Sequence, residues 1–136
     1  MEVDPALFTW PIRVYYEDTD TGGVVYHANY LRFLERARTE WLRQHGWSQE
    51  RLKQEAGIGF VVASMTLDFR RAARLDDELL ATVRIKGRRR VSLDFEQTLV
   101  AARNPACLYV EATAQVACVH LASLKPHRLP DNLAST

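Results

Sequence analysis

The 136-residue sequence is poor in cysteine, with only Cys107 and Cys118, and has no apolar run near the roughly 18 residues of a membrane helix. Its longest apolar candidates are broken by Asp68, Arg84, Glu111 and His120. The first nine residues carry Glu2 and Asp4 and no positive start, so they do not read as a secretory signal. The cytoplasm is therefore the expected compartment. Neither sign of charge is in excess: 18 Lys and Arg against 17 Asp and Glu leave a net charge of +1. No overall field draws the chain to nucleic acid or to an anionic membrane. The signatures of serine hydrolases (G-x-S-x-G), P-loop enzymes (G-x-x-x-x-G-K-[ST]) and zinc proteases (H-E-x-x-H) are all missing. No cysteine pair has zinc-finger spacing, and His27, His45, His120 and His127 are scattered, so no metal site is expected. The two cysteines are eleven apart in what reads as one strand. They should face opposite ways about 35 Å apart, too far for a disulfide.

What is present is ordinary globular material, 47% hydrophobic and 26% charged. The length suits one domain over residues 1–136, ending in a tail from about residue 126. Trp10 to Glu17 alternates, with Trp10, Ile12, Val14 and Tyr16 on one face. Ala28 to His45 repeats Tyr30, Phe33, Leu34, Ala37, Trp41 and Leu42 at helical spacing. Ser48 is placed to cap a short second helix ended by Gly57. Four strands follow, over Gly59 to Phe69, Leu79 to Ile85, Val91 to Ala101 and Leu108 to Leu121. Strands in succession without a helix predict an α+β fold: an antiparallel meander covered by the long helix. Exposed sheet edges predict a homodimer.

Chemistry concentrates between the first strand and the helix, in Tyr16-Glu17-Asp18-Thr19-Asp20-Thr21-Gly22-Gly23-Val24-Val25-Tyr26-His27-Ala28-Asn29-Tyr30. A carboxylate, a glycine turn and a helix N-terminus together supply a base or nucleophile and an oxyanion site, both needed for acyl transfer. Asp20 has a plainer role available as a turn cap, and Tyr16 one as a core side chain. Glu17 and Asp18 are expected in solvent. Glu35 is an alternative carboxylate, or an ion-pair partner of Arg38 or Arg32. A second cluster, Lys86-Gly87-Arg88-Arg89-Arg90, falls at a strand turn. It is either a solvated tip or a grip for phosphates, with Arg70, Arg71 and Arg74 as the fallback.

The run Tyr16-x-x-Thr19-Asp20-x-x-Gly23-Val24-Val25-Tyr26-His27-Ala28-Asn29-Tyr30, then Glu35-x-Ala37-Arg38, resembles the hotdog-fold thioesterases of the 4-hydroxybenzoyl-CoA type. It is most similar to their YbgC branch, associated with the Tol–Pal system. The resemblance implies a hotdog fold, an antiparallel five-stranded sheet wrapped around one long helix. It implies a homotetramer built from dimers and hydrolysis of acyl-CoA without metal or cofactor. It makes Asp20 the catalytic carboxylate, with His27 and Tyr16 as further catalytic residues. The His27 N–H becomes the oxyanion donor, and Arg88, Arg89 and Arg90 contact the CoA phosphates. Acyl carrier protein is a second carrier to be considered. A hotdog dehydratase and a non-catalytic acyl-CoA binding module are the rival readings.

Overall fold

In the computed structural model, residues 7–131 and residue 133 are described. The elements are β1 (Phe8–Arg13), a 3-10 turn (Tyr16–Asp18), α1 (Asn29–Gln44), α2 (Gln49–Ala56), β2 (Ile58–Phe69), β3 (Glu78–Arg88), β4 (Ser92–Ala101) and β5 (Asn104–His120). They form one five-stranded antiparallel sheet in the order β1-β3-β4-β5-β2. Only β3-β4-β5 is the expected meander. β2 crosses to the far edge and pairs with β5, from Ile58 opposite His120 to Phe69 opposite Val110. The sheet edges are therefore β1 and β2.

Helix α1 lies chiefly over β3, with β1 and β4 beside it. Its stripe of Tyr30, Phe33, Leu34, Ala37, Trp41 and Leu42 is buried, with Phe33 and Leu34 fully so. Each such side chain contributes about 1.5–3 kcal/mol of apolar burial. Trp41 meets Phe95 of β4 edge-on at 5.3 Å between ring centres, an arrangement that aromatic quadrupoles favour. Helix α2 starts at Ser48, whose hydroxyl accepts the Arg51 N–H at 3.0 Å.

Two bulges re-phase the alternation read from sequence. On β2 the register shifts between Val62 and Ser64. Ile58 and Phe60 face inward before it, and Met65 and Leu67 after it. On β5 a shift opposite Leu99 and Val100 turns Cys107 toward the core side, where Cys118 also lies. The two cysteines thus do not face opposite ways, and both are free thiols. An extra residue in one strand of a pair is enough to reverse which side chains point inward.

The segment after β5 turns back along the sheet. Pro126 bridges to Val119, and Leu129 and Leu133 are buried in the core. The expected tail otherwise lies outside the described residues at 132 and 134–136. No helix among the described residues is long and apolar enough to cross a membrane.

Candidate active site

Strand β1 stops at Arg13, short of the expected Glu17. Val14 exchanges hydrogen bonds with the loop before β3, its N–H donating to Asp77 O and its carbonyl accepting from Asp76. The chain then tightens into the 3-10 turn, which leaves Tyr15 and Tyr16 exposed and turns Asp18 inward. Tyr16 is accordingly 82% exposed, not a strand residue packed in the core.

Asp18 is buried, against the expectation that it would be solvated. Its carboxylate accepts the Tyr15 N–H at 2.8 Å and the Asn29 amide at 2.7 Å. It thereby ties the turn to the first residue of α1. Thr19 bridges to Val25, and Tyr26 N–H donates to Asp18 O. The intervening residues form a small hairpin with Asp20 exposed at its tip. Asp20 Oδ1 accepts the Gly22 N–H at 2.9 Å, so the turn-capping role is real. The hairpin turns on Gly23, and at Gly22 the space is tight. Gly23 has φ +78, and a Cβ on Gly22 would stand 3.2 Å from Asp20 Oδ1.

Val24 and Val25 run beside the β2–β3 connection, with Val25 N–H donating to Ala73 O and Tyr30 Oη accepting the Ala73 N–H. Burial raises the Tyr30 pKa, the bond from Ala73 opposes this, and Asp77 adds to the rise. His27 is exposed at the start of α1, its ring 4.6 Å from that of Tyr26. No side chain caps the helix. His27 also borders a hollow of about 340 Å³ with Tyr30, Phe69, Arg70 and Arg71. The structure thus gathers Tyr16, Asp20 and His27 on one loop, but no hydrogen bond joins them among the described residues.

Arg88, Arg89 and Arg90 are exposed at the β3–β4 turn, with Arg89 3.3 Å from Asp94. They lie at the opposite end of the sheet from the loop. Arg13, which leads into the loop, pairs with Glu78, the first residue of β3, and Arg88 is its last. Ten residue steps along a strand span about 33 Å.

Arg38 was named in the sequence, but its partner Gln97 was not. Arg38 donates to Gln97 Oε1 at 2.8 Å, and Gln97 Nε2 donates to Leu34 O at 3.1 Å. Gln97 is buried, sitting in the inward phase of Leu93, Phe95 and Leu99 on β4. That polar residue in an apolar phase was the available signal. Burial lowers the Arg38 pKa while Glu35 opposes the shift. The expected ion pair of Glu35 with Arg38 or Arg32 is absent among the described residues. No group of His, Cys, Asp and Glu among them is arranged to hold a metal ion.

The profile of the thioesterase-like superfamily matches residues 14–136. An Escherichia coli protein described as acyl-CoA thioester hydrolase YbgC is 48% identical over 133 residues, covering 98% of this chain and 97% of that one. A Haemophilus influenzae acyl-CoA thioesterase YbgC is 47% identical, covering 90% and 88%. A probable thioesterase from Bartonella henselae superposes with a TM-score of 0.84 at 35% identity, covering 92% of this chain and all of that one. A 4-hydroxybenzoyl-CoA thioesterase mutant complexed with 4-hydroxybenzoyl-CoA shares the fold, with a TM-score of 0.84 at 23% identity over 93% and 95% of the two chains. With relatives matched along nearly its whole length and a sheet built like theirs, the chain belongs to the thioesterase-like superfamily and has its hotdog fold.

Proposed function

We propose that this acyl-CoA thioesterase works through Asp20, whose carboxylate either attacks the thioester carbon or activates the water that does. The observation that carries the reading is the loop itself. It presents an exposed carboxylate on a glycine hairpin that leads directly into the uncapped start of α1. Negative charge developing on the thioester oxygen is stabilised by backbone N–H groups and the helix dipole at such a terminus. The His27 N–H is the proposed donor, and the His27 and Tyr16 side chains are proposed to orient the thioester or water.

Two routes balance. Asp20 attacks the carbonyl carbon, a C–O bond forms, the C–S bond breaks, and water then cleaves the mixed anhydride. Alternatively Asp20 takes a proton from water, whose oxygen forms the new bond while CoA leaves as the thiolate. Single turnover in heavy-oxygen water with hydroxylamine as a trap separates them. Protein oxygen in the first acid released, or an acyl group trapped from the protein, marks the anhydride route, whereas general-base catalysis gives solvent oxygen and no trapped acyl-protein.

We further propose that the site is completed by a partner subunit. Within one chain the loop and the basic turn are at opposite ends of β3. The Ile58 end of β2 is at the basic-turn end, because Ile58 pairs with His120 and the Cys118 N–H donates to Val91 O. Antiparallel pairing of two β2 edges sets the Ile58 end of one beside the Phe69 end of the other. That brings one subunit's Arg88, Arg89 and Arg90 to the end that carries the partner's loop. The free thiols suit a reducing compartment such as the cytoplasm.

Asp20→Asn should lower kcat by roughly a hundredfold or more while acyl-CoA binding and folding persist. Free-thiol release over short, long, aromatic and acyl-carrier-protein-bound thioesters, with calorimetry for binding, checks this. Near-normal turnover by the variant would move the chemistry to Glu35.

A further inference from the structure

A pocket of about 240 Å³ lies between α1 and the β2 side of the sheet. Its walls join the apolar Trp41, Phe60, Leu93, Phe95 and Val116 to the polar Thr39 and Gln49. Arg38 also lines it, and Glu35 stands at the same lining one turn earlier on the helix. The volume is below the roughly 300–1,000 Å³ of pockets that hold drug-sized ligands, so it suits an acyl tail and not a nucleotide. Asp20, His27 and Tyr16 do not line it. It instead reaches Phe60 and Val62 of the edge strand, along which the partner's loop is proposed to arrive.

Arg38 is unusual for such a place. It is half-buried, and its hydrogen bond goes to a neutral amide, Gln97, itself 2% exposed. No carboxylate forms an ion pair with it among the described residues. A guanidinium offers five N–H donors, and one contact to Gln97 leaves most of them free for the pocket. A cation removed from water is unfavourable until an anion or strong acceptor meets it. Gln97, its other end fixed on Leu34 O, holds the guanidinium in place, and as a neutral amide it does not neutralise it; Glu35 on the same lining acts on that charge through space, without an ion pair.

We propose that this pocket receives the acyl group and that Arg38 selects a short acyl chain ending in a carboxylate, the half-thioester of a dicarboxylic acid. The inference rests on the thioesterase reading and adds the substrate class. The apolar walls hold the methylene stem, and Arg38 meets the distal carboxylate with charge-assisted hydrogen bonds.

Succinyl-CoA and butyryl-CoA share a four-carbon chain and differ at its end, so their kcat/KM ratio reads the selection. The wild-type enzyme should prefer succinyl-CoA. Arg38→Met should lower kcat/KM for succinyl-CoA roughly tenfold or more, the worth of a charged hydrogen bond, and that for butyryl-CoA less than about threefold. Arg38→Lys should retain part of the preference. A wild-type preference for butyryl-CoA overturns the proposal, and so does an equal fall on both substrates in Arg38→Met, which marks a structural pin. If Arg38→Met does not fold, the wild-type ratio decides alone. Hydrolysis of neither substrate, nor of any other acyl-CoA, removes the thioesterase reading itself, a result distinct from butyryl-CoA turnover without selection.

Discussion

Asp18 is the residue on which the placement of Asp20 depends. Its two hydrogen bonds close the turn onto α1 and leave none of its burial uncompensated. Asp18→Ala strands the Tyr15 N–H and the Asn29 amide. It should cost about 3 kcal/mol, from two lost partners of a buried charge. Urea unfolding measures that loss, and kcat should fall with it as the loop loosens. A variant as stable and active as the wild type would show that the hairpin holds itself. The role was not legible in the sequence because Asp18 and Asp20 are both short acids in a turn-forming run. Only the fold decides which of them meets Asn29, eleven positions after Asp18. Asp20 was readable for the opposite reason, since the glycines that follow it mark the tip.

The elements were mostly readable, and the misplacements share one cause. Helix α1 and the inward phase of β5 from Val110 to Cys118 follow from periodicity and are buried as expected. Periodicity cannot show a bulge, because one added residue looks like a slip in the pattern. Nor can it show that β2 joins β5 and not β3, since hairpin adjacency is only the commoner choice. The short helix α2 was announced by its cap. Ser48→Ala removes the acceptor for the Arg51 N–H and should lower stability by about 1 kcal/mol with kcat unchanged, measured by thermal melting against turnover. A drop in kcat without a stability change would mean that α2 acts on the site, since Gln49 borders the Arg38 pocket.

At the scale of the whole molecule, the separation of loop and basic turn makes a mixing experiment decisive. Asp20→Asn lacks the carboxylate, and the triple change of Arg88, Arg89 and Arg90 to Ala should raise KM about fivefold for each arginine at low salt. If each site takes its loop from one subunit and its arginines from the other, a mixed dimer of the two variants contains one fully wild-type site. Activity at low substrate should then reappear on mixing after co-refolding. No recovery, with mixed dimers present, would place both parts of the site in one chain.

The long edge strand has one more consequence. β2 runs twelve residues, with Val61 and Val62 exposed and Asp68 its one charge. Natural sheets seldom leave such an edge bare without lysine or proline to block it. A dissociated subunit would therefore offer a template for any extended chain nearby. Dilution would not yield a pool of quiet monomers waiting to reassemble. It would open a route to insoluble aggregate, against which the proposed pairing of two β2 edges would protect the protein.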